Sequence, residues 1–194
     1  DEAEKDYQML SGISESVENI DSVWLNTRAR LPWLVVGLLG GIASSLVIGN
    51  FEKELSDNVQ LALFMPLIMA MAGNVGVQSS SIIVQGLANN SITNKGIWAA
   101  LSKELAVAVI NGFVCSALLM GYGYIFGNSS DIMMTVSIAL LSVILLAAVI
   151  GTTVPLTLDK MKIDPALATG PFITTSNDLI GLFLYFLIGN AILG

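Results

Sequence analysis

Between Pro165 and Gly194 one side chain carries charge at neutral pH, Asp178, in a stretch otherwise apolar enough to lie within a membrane. A carboxylate in hydrocarbon is expensive, so such an acid is normally paired, hydrated in a cavity or engaged with an ion. Thr174, Thr175, Ser176 and Asn177 precede it and supply hydroxyl and amide oxygens. At about 1.5 Å per helical residue from Thr169, the acid falls about 15 Å along the segment, near mid-bilayer. Gly170 and Pro171 loosen the helix one to two turns earlier. Backbone freed in this way survives at membrane depth only where protein or a water-filled cavity satisfies it. These features point to a wet path with hard oxygen ligands; the plainer alternative is a packing acid bonded to Ser, Thr or Asn of a neighbouring helix.

A second polar stretch, Gly73-Asn74-Val75-Gly76-Val77-Gln78-Ser79-Ser80-Ser81, follows Phe64-Met65-Pro66. Asn74 and Gln78 are one helical turn apart and can face one direction, while Gly73 and Gly76 allow close backbone approach. This reads either as a pore wall offering amide and hydroxyl oxygens to a hydrated ion, or as small-residue packing with an amide hydrogen bond. A third polar segment, Gly151-Thr152-Thr153-Val154-Pro155, could widen an inner vestibule, although a proline kink explains it equally well.

The elements that must carry these residues are membrane helices. Of 194 residues, 54% are hydrophobic and 12% charged, which describes an all-α polytopic membrane protein and not a soluble core. Five runs are long enough to span: Leu31–Phe51, Val59–Ala88, Leu105–Ser130, Ile132–Leu158 and Pro165–Gly194. Asn111, Gly112, Gly121 and Gly123 mark the third run as packing. The connector with Ile97, Trp98 and Leu101 between Lys95 and Lys103 reads as a short interfacial helix.

Residues 1–30 form a separate unit ahead of the pore domain 31–194. Leu10, Ile13, Val17, Ile20, Trp24 and Leu31 make one helical stripe, so an amphipathic helix is expected over 10–31, with Ser14 as its cap. Lys5, Arg28, Arg30, Lys95, Lys103, Lys160 and Lys162 all fall on one side of the five spans and only Lys53 on the other. That asymmetry places the N-terminus in the cytoplasm and the C-terminus outside the cell membrane. Seven acids within the first 21 residues account for most of the net charge of -7, which argues against a nucleic-acid partner. Cys115 is the lone cysteine and histidine is absent, so neither an intrachain disulfide nor a soft metal site is expected. The start at Asp1, without methionine or signal peptide, reads as a fragment of a longer protein.

Leu31-Pro32-Trp33-Leu34, Phe64-Met65-Pro66 with Gly73 to Gln78, then Asp164-Pro165-Ala166 and Gly170-Pro171-Phe172 with Asp178, resemble in order and spacing the transmembrane domain of MgtE-type magnesium channels. The resemblance covers essentially all of 31–194, and 1–30 looks like that family's connecting plug helix. It implies a homodimer with five membrane helices per subunit and a Mg²⁺ pore on the dimer axis. The residue matching Asp178 would hold the hydrated ion, and Asp164 would lie at the cytoplasmic mouth. Family members usually carry a cytoplasmic N-terminal domain and paired CBS domains that sense Mg²⁺, and neither is found in these 194 residues.

Metal chemistry reaches a compatible reading. Mg²⁺ prefers oxygen, dehydrates reluctantly and usually takes one or two carboxylates. Asp178, doubled by two-fold symmetry and flanked by Thr174, Asn177, Asn74 and Gln78, would supply that set. A coupled transporter using Asp178 as a proton or cation relay is the main rival. An intramembrane aspartyl protease would need two close carboxylates, whereas Asp164 and Asp178, on one helix, would stand roughly 21 Å apart.

Overall fold

The computed structural model describes residues 11–13, 22–92, 96–168 and 170–194, and every regular element among them is helical. Five helices have the length and composition to cross a membrane: α1 (Val23–Asn50), α3 (Val59–Ala88), α4 (Ile97–Phe126), α5 (Ser130–Lys160) and α6 (Pro171–Leu193). A six-residue helix, α2 (Glu52–Asp57), joins α1 to α3, and a 3₁₀ turn at Pro165–Ala168 precedes α6.

The expected break near residue 30 is absent, because α1 runs unbroken from Val23 through Arg28, Arg30 and Pro32. Its cap is Ser22, whose hydroxyl accepts from Leu25 N at 3.3 Å and meets one of the orphan donors of the first turn. The amphipathic helix expected over 10–31 is therefore not a separate element in its described parts. Residues 11–13 form a turn, Gly12 lies against Pro171 and Trp33, and the proposed Ser14 cap falls outside the described residues. The interfacial helix expected around Trp98 is likewise the opening of α4, which starts at Ile97 and not at Leu105. A polar first turn continues a membrane helix at no penalty once it lies beyond the hydrocarbon.

The core is built around α5, which packs against α3, α4 and α6. Val136, Ala139, Leu140, Val143, Ile144, Ala147 and Ala148 are buried along its length, as expected of a helix apolar on all sides. Gly151, Thr152 and Pro155 are buried too, with Gly151 against the Gly76 backbone of α3, whereas Thr153 and Val154 of the same segment line an open cavity of about 390 Å³ together with Thr157, Leu158 and Phe172. On the far side α4 uses Gly112 against Leu141 and Gly123 against Met133, in line with the packing role read from its glycines. Its opposite face, with Ile110, Phe113, Val114 and Leu118, is exposed and suited to lipid.

Helix α1 leans on α6, with Gly40 against Thr175 and the Phe51 ring stacked on Phe186 at 4.9 Å. The α3–α6 contact is locked by the buried Tyr185 hydroxyl, which donates to the Leu61 carbonyl at 2.8 Å.

Candidate ion-binding site

The last helix begins later than the hydrophobic run suggests. Gly170 adopts φ +62°, a conformation that favours glycine, and Pro171 occupies the first helical position, where its missing N–H is no loss. Asp178 is then the eighth residue of a 23-residue helix, about 10 Å from its start and a third of the way along, short of the expected midpoint.

The residues before Asp178 turn to different neighbours, because successive helical positions are about 100° apart. Thr174 and Asp178, one turn apart, face α3. Thr175 faces Gly40 of α1, and Asn177 points into the core against Gly76. A β-carbon at Gly73 would stand 3.3 Å from Asp178 Oδ1 and 3.1 Å from Thr174 Cγ2, so this glycine lets both side chains lie against the α3 backbone. The Thr174 hydroxyl itself donates to the Gly170 carbonyl at 3.0 Å.

An open groove of about 300 Å³ results, its α6 wall formed by Thr174 and Asp178. Its α3 wall holds Asn74 and Gln78, with Met69, Ala70, Gly73 and Val77 between and beside them. At about 30 Å³ per water, that volume accommodates an ion with its inner hydration shell. Four of the six residues singled out from sequence therefore meet: Asn74, Gln78, Thr174 and Asp178. Asn177 does not join them; it is 1% exposed and its amide lies in the core. Asp164 does not line the groove either; it is exposed, and its Oδ1 accepts from Ala166 N at 2.9 Å, closing the 3₁₀ turn. Ala70 and Gly73, absent from the sequence reading of ligands, complete the wall because they share a face with Asn74, Val77 and Gln78 at helical spacing.

Chemically the groove offers one carboxylate, two amides and one hydroxyl, all oxygen ligands for a hard cation. Among the described residues no cluster of three His, Cys, Asp or Glu could enclose a metal.

Five helices long and apolar enough to span, with one acid in an open groove between two of them, describe a multi-pass membrane protein. Residues 65–188 match the MgtE family, described as a divalent cation transporter, and the chain belongs to that family. It is 33% identical over 190 residues to the magnesium transporter MgtE of Bacillus subtilis, covering 98% of this chain and 42% of that protein. The magnesium transporter MgtE of Enterococcus faecalis is 32% identical over 98% of this chain and 42% of its own length. For the magnesium transporter MgtE of Thermus thermophilus the values are 30%, 89% and 37%. The chain thus spans about two fifths of the length of these relatives.

Proposed function

We propose that this chain forms the membrane path of a Mg²⁺ channel, in which the groove of one subunit faces that of a second copy across a two-fold axis. The observation that carries this reading is the shared groove of Asp178, Thr174, Asn74 and Gln78 on an outer face of the helix bundle. Asn74 and Gln78 are exposed and Asp178 half-buried, a polar stripe that lipid would not solvate. A symmetric partner covers it and doubles the carboxylates to match a divalent charge, leaving water between protein and ion. Kinship with relatives named magnesium transporters supports Mg²⁺ as the cargo. Lysine and arginine placement supports a cytoplasmic N-terminus and an external C-terminus in the cell membrane.

In this path Asp178 acts through charge. It attracts the hydrated ion and holds it by hydrogen bonds from the ion's water, while Asn74, Gln78 and Thr174 accept the remaining water protons. Ions that require a dehydrated cage find too few ligands. The test is Mg²⁺ uptake into proteoliposomes by the near-isosteric Asp178→Asn. A water-separated carboxylate at about 4.5 Å from a divalent ion contributes roughly 2–4 kcal/mol at the dielectric of a wet groove. The expected loss in flux is therefore about 30-fold or more. Wild-type flux from folded Asp178→Asn protein would reduce the acid to packing. Electrical recording separates channel from coupled transporter: single-channel steps are expected, and flux without them that requires a driving ion would favour the transporter.

A further inference from the structure

Three polar side chains in the interior, Ser80, Thr152 and Asn177, are at most 1% exposed and have no hydrogen-bond partner within the protein. They come from α3, α5 and α6, and Gly76 draws those helices together. A β-carbon on Gly76 would strike the Asn177 amide and crowd Ile173, while Gly151 of α5 lies against the Gly76 carbonyl. Ser80 follows Gly76 by one turn on the same face of α3, and Thr152 follows Gly151. Pro155 adds a further acceptor, since it has no N–H to offer the Gly151 carbonyl one turn earlier. The orphaned atoms are the hydroxyls of Ser80 and Thr152 and both Oδ1 and Nδ2 of Asn177.

We propose that this three-helix junction is a bound-water site, separate from the ion groove and on the inner side of the same helices. The donor and acceptor inventory selects the ligand. Asn177 Nδ2 can only donate, which a bare cation cannot accept, and no carboxylate is present to neutralise one. Water donates and accepts at once, and buried polar groups of this kind are what hold internal water in proteins. The bound water gives Asn177 its partner, and through it fixes the rotation of α6 that keeps Asp178, the next residue, in the groove.

X-ray radiolysis tests this on the detergent-solubilised protein, because hydroxyl radicals made from a bound water modify the side chains beside it. Ile173 touches the junction and Ile144 lies in the apolar core, both 0% exposed. Ile173 is expected to be modified and Ile144 left unmodified, because bulk water reaches neither and the bound water lies beside Ile173 alone. Asn177→Leu and the isosteric Thr152→Val should each lower that labelling and lower the Tm, because they break a satisfied network. Equal labelling of Ile173 and Ile144 would overturn the proposal. So would an unchanged or higher Tm in both variants, since an apolar isostere relieves a polar group that has no partner. The ion path is tested apart from this, as Asp178→Asn should leave the Ile173 label unchanged.

Discussion

Gly73→Ala adds one methyl where α3 meets the acid, and its effect follows from two distances. The new carbon would stand 3.1 Å from Thr174 Cγ2 and 3.3 Å from Asp178 Oδ1. Carbon pairs settle at about 3.5–4.0 Å, so α6 side chains must retreat by about 0.5 Å, toward the open side of the groove. Overpacking of this size costs about 1–3 kcal/mol, equivalent to about 5- to 150-fold if it falls on ion occupancy. Mg²⁺ flux into dye-loaded proteoliposomes should fall within that range while the protein stays folded. The companion change Thr174→Ser deletes Cγ2, the closer of the two atoms, and should return Gly73→Ala flux most of the way to the wild-type value. Gly73→Ala at wild-type flux would refute the reasoning. So would a defect that Thr174→Ser leaves untouched, because the clash would then not be its cause.

Gly121 has nothing within 4 Å of where a β-carbon would lie, so Gly121→Ala should keep flux and gain up to about 1 kcal/mol of helix stability, read as a higher Tm. Tyr185→Phe removes a buried hydroxyl bond at 2.8 Å and should destabilise by about 1–2 kcal/mol without changing flux, which thermal melts and uptake measure together. Asp164→Asn keeps an oxygen for Ala166 N, so flux should change less than about five-fold, the scale of one exposed charge; a larger loss would restore Asp164 to the ion path. With Cys115 replaced, single cysteines at Asn74 and at Thr174 should each crosslink subunits in membranes, and consistent failure there alongside crosslinks from α4 would move the interface.

The second span is legible residue for residue, Val59–Ala88, because its apolar run is bounded by acids before and by Asn89 and Asn90 after. The ends of the first and third spans are not. Arg28, Arg30 and Lys103 read as boundaries, yet a helix that has left the hydrocarbon continues through charged residues without penalty. Within the site, the pair Asn74 and Gln78 and the pair Thr174 and Asp178 follow from four-residue spacing. Asn177 is misplaced when adjacency in sequence stands in for adjacency in space. Ile173, Asn177 and Gly181 also repeat every four residues, and their face is the buried one. Close approach at Gly73 needs the packed positions of two helices, which no pattern within one helix contains.

Helix α1 has the geometry of a lever. It is a continuous rod of 28 residues pinned to α6 at Phe51 and crossing it again at Gly40, beside Thr175. Taking Phe51 as the fulcrum, the far end at Val23 is about 42 Å away and the Gly40 crossing about 17 Å. Any sideways pull on the start of α1 therefore arrives at α6 reduced to about two fifths in amplitude and raised in force by the inverse. The point of delivery is one residue from Thr174 and three from Asp178. A displacement of a few ångströms at the start of α1 would thus reach the neighbourhood of the carboxylate as one of about an ångström.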